Sequence, residues 1–390
     1  MKQEWVYKEL RDVCSVDNKK NTKKGIPYIG MEDIEANSSR FLGSLEPRSV
    51  KSNTFYFTGK QLLYGRLRPY LNKVFLPDFE GHCSTEIFTI NINVDLVRRY
   101  LYYWFIQDST VSRINETCTG ARMPRANMEE VFTFKLPIPP LPEQQRIVAI
   151  LDQAFAAIET AKANTEKNLQ NVRELFETFL DNAFKKPDNG RWEKRKLLDL
   201  CELGDGNHGG NYPKKSDMRK EGVPFIRGVN FDNGRISTEE MHYISVAKHK
   251  SLKKGHLQTG DVLFTNRGII GKCAIVDENY NDANLNSQIA YFRCSEMLNN
   301  EFLYYFLTSP EIQRFVKKSQ TGAALQQFTQ NSISKLYIHL PSIDEQKQIV
   351  DIVNRVIKET KKLESVYILK LVGLDELKRS ILQKAFNGEF

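Results

Sequence analysis

The sequence predicts a mixed α/β (α+β) fold in which two tandem, pseudo-symmetric domains are separated by two long antiparallel helices that form a coiled coil. Two observations support this prediction. The 390-residue chain contains the same pattern twice, and each copy ends in a helix-like stretch of about five heptads. We therefore expect domains at 1–141 and 187–343, with helices at 142–186 and 344–390.

The repeat is clearest at an offset of 202 residues, where the segment 141–148 (LPEQQRIV) returns at 343–350 as IDEQKQIV. Near the start, Trp5 returns as Trp192, so the offset there is only 187. The offset grows from 187 to 202, which means that the early part of the second copy contains fifteen extra residues. Insertions gather in loops and leave the scaffold unchanged. We expect two similar frames that carry different loops.

The two predicted helices follow a 3–4 spacing of apolar residues, which is typical of a coiled-coil seam. Pro142 suits a first helical turn, and the pair Ser342 and Glu345 resembles a capping box. The first helix delivers the chain to the second domain, so a second helix that pairs with it must run back antiparallel. The predicted seam or subunit-interface residues are Ile147, Leu151, Ile158, Val172, Leu175, Ile349, Val353, Val356, Leu363 and Leu377.

Polar residues interrupt both apolar patterns. Asn168 and Lys370 occupy equivalent positions 202 residues apart, and Thr165 is a further interruption. Polar residues at seam positions commonly set register and partner choice. The alternative is that each helix packs on its own domain, but the shared pattern favours mutual pairing.

Short strands and helices alternate in each globular segment. Residues 60–66 (KQLLYGR) and 261–267 (DVLFTNR) are predicted as matched strand-to-loop transitions, each after a glycine turn. Helices predicted at 97–106 and 301–307 carry aromatic residues that we interpret as core, with base stacking as the alternative. Residues 204–210 (GDGNHGG) have no counterpart in the first copy and are interpreted as a turn-rich loop.

The composition indicates a globular protein with an anionic partner. Hydrophobic residues make up 41% and charged residues 27%, the net charge is +8 and the pI is about 9.0. Six cysteines without a C-x-x-C pair indicate reduced thiols. The first residues contain no apolar signal core, and the sequence has no run of 18 apolar residues. We expect a cytoplasmic protein with no membrane association.

Motifs for catalysis are absent from the sequence. It contains no phosphate-binding G-x-x-x-x-G-K-[ST] loop, no H-E-x-x-H, no nucleophile elbow and no dinucleotide fingerprint. The six histidines are dispersed. We therefore expect no catalytic residues, no metal site and no cofactor in this chain.

Basic residues follow matched strands. Arg66 and Arg267 lie just beyond the two predicted strands, where a guanidinium can bond guanine or a phosphate; the alternative is a surface salt bridge. A second matched loop lies at 120–125 and 322–327, where glutamine can read adenine. Residues 18–24 (NKKNTKK) are interpreted as a flexible basic run that contacts phosphate or is simply solvated. The predicted DNA-binding residues are Lys23, Lys24, Arg66, Arg68, Lys73, Arg122, Arg125, Arg227, Arg267, Lys272, Gln326 and Gln327.

In these features taken together, the chain resembles the specificity subunits of type I restriction-modification systems. The resemblance covers essentially the whole chain. It is carried by the helix starts PLPEQQRIV and PSIDEQKQIV, the strands GIPYI and GVPFI, the matched T-G loops and the terminal AFNGEF.

The resemblance implies two target-recognition domains that bind a bipartite, asymmetric site in double-stranded DNA, one half-site per domain. It also implies assembly with two modification (methyltransferase) subunits and two restriction (helicase-nuclease) subunits. S-adenosylmethionine, ATP and Mg²⁺ are expected in those partners. The alternatives are an orphan or type II-like specificity chain, and a protein scaffold without sequence-specific DNA binding.

Overall fold

The computed structural model describes residues 5–93, 95–185, 187, 192–320 and 327–390. The chain divides into two compact units: unit 1 is Met1–Glu166 with Leu369–Phe390, and unit 2 is Lys167–Ile368. Each unit contains one globular repeat and part of both long helices. The segments expected from the sequence divide the chain at the helix starts, whereas the compact units divide each helix near its middle.

Unit 1 is a set of small sheets with short helices. Its strands are β1 (Val6–Glu9), β2 (Cys14–Val16), β3 (Tyr28–Ile29), β4 (Thr54–Phe57), β5 (Leu62–Gly65), β6 (Val74–Phe75), β7 (Gly81–Ser84), β8 (Ile87–Ile92) and β9 (Lys135–Ile138). Its short helices are α1 (Leu10–Val13), α2 (Arg98–Phe105), α3 (Asp108–Glu116) and α4 (Met128–Val131), and the long helix α5 (Leu141–Ala183) begins here. The sheets have the orders β2-β8-β5-β6, β3-β7-β4 and β1-β9.

Unit 2 repeats this plan with additional strands. They are β10 (Glu193–Lys196), β11 (Cys201–Asp205), β12 (Met218–Arg219), β13 (Val223–Ile226), β14 (Phe231–Asp232), β15 (Arg235–Ile236), β16 (His242–Ile244), β17 (Val262–Thr265), β18 (Cys273–Ile275), β19 (Asn284–Leu285), β20 (Ile289–Cys294) and β21 (Tyr337–Leu340). The helices are α6 (Val246–Ser251), α7 (Asn300–Thr308), α8 (Pro310–Lys318), α9 (Gln330–Ile333) and the long α10 (Ile343–Phe386). The sheets have the orders β11-β20-β17-β18, β12-β16-β13-β19, β10-β21 and β14-β15.

The aromatic residues of α2 and α7 belong to the cores of their units. Tyr100 and Tyr103 are at most 1% exposed, and Phe302 is fully buried. The core interpretation is confirmed for these rings, because rings enclosed on all sides have no face left for a base. Tyr304 and Tyr305 of α7 are half-buried and pack against the same core. The expectation of a turn-rich loop at 204–210 is wrong at its start, because Gly204 and Asp205 pair with β20 as part of β11.

A buried glutamine attaches the start of each long helix to its domain. The side chain of Gln144 accepts a hydrogen bond from Val97 N at 2.8 Å and donates to Pro139 O at 2.9 Å. Gln346 repeats this arrangement with Asn299 N at 2.8 Å and Pro341 O at 3.0 Å. A buried amide with several partners fixes orientation more strictly than an apolar contact does. The repeated E-Q dipeptide therefore marks where each helix is attached.

Both helix starts have the predicted local signals. Pro142 is the second residue of α5, where a missing N–H costs no helical hydrogen bond. Ser342 N donates to Glu345 Oε2 at 3.0 Å, and Glu345 N donates to Ser342 Oγ at 3.4 Å. The predicted capping box is confirmed.

The end of each long helix enters the core of the other repeat. In unit 1, Phe386 at the end of α10 lies 5.0 Å from Tyr100, ring centre to ring centre, and is 5% exposed. In unit 2, Phe184 just beyond α5 lies 5.0 Å from Phe302 and is 7% exposed. The core of each unit is therefore completed by a distant part of the sequence.

The two long helices pair in opposite directions. In unit 1, Lys378 Nζ lies 3.2 Å from Glu159 Oε1, and Lys162 forms an ion pair with Asp375. From the first of these ion pairs to the second, the residue number rises from 159 to 162 along α5 and falls from 378 to 375 along α10. The predicted antiparallel pairing is therefore confirmed.

Three of the predicted seam or subunit-interface residues lie outside the seam. Leu175, Leu363 and Leu377 have exposed fractions of 69%, 45% and 47%. In each case the following residue turns inward, because a helix has 3.6 residues per turn and a 3–4 pattern assigned from sequence drifts by one position over several turns. These following residues are Phe176, Glu364 and Lys378. Among the other predicted seam residues, Ile147, Leu151, Ile158 and Val353 are buried and Val172, Ile349 and Val356 are half-buried.

The polar interruptions also differ from expectation. Asn168 and Lys370 are exposed, so they do not occupy the seam. Thr165 is 1% exposed, and its hydroxyl donates to Ala161 O at 2.6 Å. A threonine that satisfies its hydroxyl within its own helix can be buried without a partner across the seam.

Within the described residues, no helix combines the length and the apolar character needed to cross a membrane.

Candidate nucleic-acid interface

In unit 1, three charged side chains meet where β5 ends. Arg66 N donates to Glu86 O at 3.0 Å, and Arg66 O accepts from Ala126 N at 2.9 Å, so the residue after the strand is held by two neighbouring loops. Glu86 then pairs with Arg66 at 3.2 Å and with Arg125 at 2.8 Å. We call Arg66, Glu86 and Arg125 the strand-end site of unit 1.

The ion pairs determine the protonation of this site. Hydrogen bonds from Arg125, and the nearby charge of Arg66, lower the pKa of Glu86 below its ordinary value. Glu86 is therefore a carboxylate at neutral pH, and two guanidinium groups share it. The site carries a net positive charge in a fixed geometry.

In unit 2, the same backbone hydrogen bonds are made by Asn266. Asn266 N donates to Gln288 O at 3.0 Å, and Asn266 O accepts from Phe328 N at 2.9 Å. Arg267 forms a bridge with Gln327, as Leu67 does with Arg125 in unit 1. The strand-end site of unit 2 is therefore Asn266, Gln288 and Gln327.

This register corrects the predicted equivalence of Arg66 and Arg267. The sequence pairs the two arginines at an offset of 201. In the sheets, however, Leu62 pairs with Ile90 and Val262 pairs with the equivalent Phe292, so β5 and β17 match at an offset of 200. Arg267 therefore corresponds to Leu67. A shift of one residue in extended chain sends a side chain to the opposite face, so the two arginines do not perform the same task.

Arg267 lies on the surface of unit 2 between two clefts. It is exposed and lines both a cleft of about 330 Å³, shared with Asn266 and Gln327, and one of about 190 Å³, shared with Arg227. Arg227 Nη2 bonds Glu240 O, whereas its buried Nε has no hydrogen-bond partner among the described residues. Asn266 Oδ1 is likewise buried without such a partner. Unit 2 thus has unused donor and acceptor capacity beside its clefts.

The other predicted DNA-binding residues are distributed unevenly. Arg68, Arg122, Lys24 and Lys272 are exposed. Lys73 is half-buried and its Nζ donates to Met31 O at 2.6 Å. Gln326 lies outside the described residues.

The basic run at 18–24 is not the flexible segment that the sequence predicts. Asn21 N donates to Thr54 O at 2.9 Å, and Tyr56 N donates to Lys19 O at 2.8 Å, so the run is bonded along the edge of β4. Lys23 Nζ lies 2.8 Å from Glu80 Oε2. Backbone hydrogen bonds to an edge strand order a segment whatever its charge.

Sequence reasoning missed Glu86, Asn266 and Gln288. A signal for two of them exists: Glu86 and Gln288 are 202 residues apart and immediately precede matched strands. Asn266 carries no such signal, because its role depends on strand register. Asp205 was also missed, and with Gly204 it lines the larger cleft.

Comparison with known proteins agrees with this duplicated plan. The family model of the type I restriction modification DNA specificity domain matches residues 2–170 and 189–370. The EcoBI specificity subunit of Escherichia coli is 24% identical over 95% of this chain and 81% of its own length. The MjaVIII specificity subunit of Methanocaldococcus jannaschii is 26% identical over 64% of this chain and 62% of its own length.

Solved structures share the fold. A chain from work on complex assembly and conformational transition of the type I R-M system has a TM-score of 0.82 at 21% identity, covering 99% of this chain and 98% of that one. The HsdS subunit from Thermoanaerobacter tengcongensis has a TM-score of 0.66 at 20% identity, covering 99% and 97%.

A duplicated domain whose two copies carry different side chains at matched strand ends places this chain in the class of tandem-domain proteins. Within that class, this chain belongs to the type I restriction-modification DNA specificity domain family. Its role is that of a DNA sequence-specificity subunit.

Proposed function

We propose that each unit binds one half-site of a bipartite, asymmetric DNA target through its strand-end site. The observation that carries this proposal is that identical backbone hydrogen bonds hold charged side chains in unit 1 and amides in unit 2. Arginine pairs best with guanine, and asparagine or glutamine with adenine. Because the two units carry different side chains on the same backbone, they read different base edges.

In unit 1, Glu86 orients the two arginines of the strand-end site. A guanidinium has five N–H groups, so Arg66 and Arg125 keep donors for DNA while they bond the carboxylate. A held guanidinium loses less conformational entropy on binding than a free one. The exposed Arg68 and Arg122 are suited to phosphate contacts that set position rather than sequence.

In unit 2, the amides and Arg267 divide the task. Gln288 is exposed and Gln327 is half-buried beside the larger cleft. Each amide offers a donor and an acceptor, the combination that matches the major-groove edge of adenine. Arg267 projects from the same loop and supplies a guanine or phosphate contact, with Lys272 as a further phosphate contact.

Assembly with modification and restriction subunits is supported by the exposed apolar surface of α10. In unit 2, Val366 and Ile368 are 51% and 48% exposed. In unit 1, Leu369 and Val372 are 69% and 51% exposed. A helix that is apolar on its outer side as well as its seam is normally covered by another protein. We assign this surface to the partner subunits, two of each kind.

Catalysis is assigned to those partners. Within the described residues, the strand-end sites contain no nucleophile paired with a base, and their arginines and amides are recognition groups. S-adenosylmethionine, ATP and Mg²⁺ would be bound by the modification and restriction subunits. This chain is then a non-catalytic subunit that selects the sequence.

The test is methylation mapping of DNA from cells that express this chain with its cognate modification subunit. A methyl-adenine motif with two half-sites and a spacer is expected, and it should disappear when this chain is omitted. A stable complex that produces no such motif would contradict the proposal and favour a scaffold. DNA binding with a steep salt dependence but no sequence preference would have the same meaning.

A further inference from the structure

A cluster of two histidines and a carboxylate lies in unit 2, and none of its residues belongs to the strand-end site. His249 is in α6, His256 follows that helix, and Asp282 precedes β19. Their ligand atoms all lie within 4.8 Å of one another. Of the three, His249 lies in the part of the repeat where the second copy is longer than the first.

The hydrogen bonds of His256 leave a lone pair facing the carboxylate. His256 Nε2 lies 2.9 Å from Leu252 O, which can only accept, so Nε2 carries the hydrogen. In the neutral ring, Nδ1 is then an acceptor, and it lies 3.4 Å from Asp282 Oδ1. Two acceptors in this arrangement require a cation or a proton between them.

His249 directs a second ring nitrogen at the same carboxylate. It is 6% exposed, and its Nε2 lies 3.3 Å from Asp282 Oδ2. The rings of His249 and His256 are only 4.5 Å apart, centre to centre. Protonating both rings would place two positive charges side by side in a partly buried site, whereas one metal ion satisfies both nitrogens and the carboxylate together.

Unit 1 has a permanent cation at the equivalent place. The bridge between His256 and Asn284 corresponds to the pairing of Tyr56 with His82. Glu80 lies two residues before His82, as Asp282 lies two residues before Asn284. There, Lys23 Nζ lies 2.8 Å from Glu80 and 3.0 Å from the Tyr56 hydroxyl. Lysine supplies the positive charge in unit 1, and unit 2 has imidazoles instead.

We propose that His249, His256 and Asp282 form a zinc site that ties α6 to the loop before β19. Tetrahedral zinc holds its ligands at about 2.0–2.1 Å, which places ligand atoms about 3.3 Å apart. The nitrogen-to-oxygen distances in the cluster are 3.3 Å from His249 Nε2 to Asp282 Oδ2 and 3.4 Å from His256 Nδ1 to Asp282 Oδ1, so the carboxylate offers one oxygen to each imidazole. The Asp282 side chain is 70% exposed, which leaves room for a water to complete the coordination.

The role of this ion is structural. Helix α6 has six residues, and a helix this short gains little stability from its own hydrogen bonds. A metal bound to one residue of the helix and to two loops outside it would order the added segment of unit 2. The proposal is independent of DNA recognition, because it concerns other residues and is measured without DNA.

The experiment uses the 390-residue chain after chelator treatment, with zinc affinity measured against a chromogenic chelator and stoichiometry by elemental analysis. The test variants are Asp282→Asn and His256→Gln. Asp282 has φ 62°, and asparagine tolerates that left-handed conformation, so the first variant keeps the backbone. The matched control is Asp205→Asn, which breaks another histidine–carboxylate contact, 2.8 Å from His208.

One zinc per chain is expected in the parent and in Asp205→Asn, with an affinity at least about tenfold lower in each test variant. Zinc should also raise the thermal unfolding temperature of the parent but not of Asp282→Asn. Absence of stoichiometric zinc would overturn the proposal, as would equal loss in the control variant. Stabilisation of the cluster by acid without zinc, lost in Asp282→Asn, would also overturn the proposal, because a proton would then bridge the imidazole and the carboxylate.

Discussion

The strand-end sites of the two units share a backbone and differ in every side chain. Unit 1 has Arg66, Glu86 and Arg125, and unit 2 has Asn266, Gln288 and Gln327. The hydrogen bonds that hold the first residue of each set agree within 0.1 Å, at 3.0 and 2.9 Å in both units. The scaffold therefore tolerates full replacement of the chemistry at this place. That tolerance is what a recognition domain requires, because specificity changes while folding does not.

The same comparison extends to the cores. Each unit is completed by a phenylalanine from the far end of the other repeat's helix, Phe386 in unit 1 and Phe184 in unit 2. Here both side chains are phenylalanine, and each lies 5.0 Å from an aromatic ring of its unit, Tyr100 in unit 1 and Phe302 in unit 2. Packing is conserved between the units where it supports the fold and divergent at the strand-end sites.

The largest expected effect is the loss of one core contact. Phe386→Ala should destabilise unit 1, and Phe184→Ala unit 2, each by about 3–5 kcal/mol, because a large buried ring is replaced by a cavity. Hydrogen exchange followed by mass spectrometry should show faster exchange in the affected unit only. The control Leu175→Ala, at an exposed position, should change neither. Equal acceleration in both units would show that they do not fold separately.

Exchanging the strand-end sites should have the next largest effect. The triple variant Asn266→Arg, Gln288→Glu and Gln327→Arg gives unit 2 the side chains of unit 1. Each base contact is worth about 1–3 kcal/mol, so methylation mapping should show a changed second half-site and an unchanged first. A motif altered in its first half would refute the assignment of one half-site to each unit.

Removal of Arg267 should have a smaller effect, confined to the second half-site. Arg267→Ala loses one exposed guanidinium, which we expect to cost about 1–3 kcal/mol of binding and to relax recognition there. Leu67→Ala is the matched control at the equivalent position of unit 1. Binding to DNA variants in each half-site is the measurement, and equal loss in both halves would mean that Arg267 is structural.

The smallest expected effect is on the stability of unit 1 at acidic pH. The pKa of Glu86 is lowered by Arg125, so its ion pairs stabilise unit 1 above the ordinary carboxyl pKa of 4.5 and this contribution is lost as the pH falls through the lower folded-state pKa. The difference in unfolding free energy between the parent and Glu86→Gln, on the order of 1 kcal/mol or less, should be constant near neutral pH and shrink below about pH 4.5.

The Gln288→Ala variant of unit 2 serves as its control. Gln288 does not titrate, so the difference between this variant and the parent should be independent of pH over the same range. An acid-dependent difference for Gln288→Ala would show that the effect arises elsewhere in the chain.

Much of the fold was accessible from the sequence because its signals are local. The starts of α5 and α10 follow from Pro142 and the Ser342–Glu345 capping box. The aromatic helices were identified as core, and antiparallel pairing followed from the order of the domains. The site was less accessible. Arg66, Arg125 and Gln327 of the two strand-end sites are among the predicted DNA-binding residues, but the grouping of Arg66 with Arg267 was wrong, and Glu86, Asn266 and Gln288 were missed.

The sequence by itself determined the duplication, the two long helices, their direction and the family, because repeats, caps and apolar spacing are properties of neighbouring residues. Only the tertiary structure decided which side chains meet. Leu175 and Phe176 differ by one position, and of the two Phe176 turns inward. Asn266 and Arg267 also differ by one position, and Asn266 takes the place that Arg66 has in unit 1. Helical rotation and strand register set that choice, and both are fixed by contacts between segments far apart in the chain.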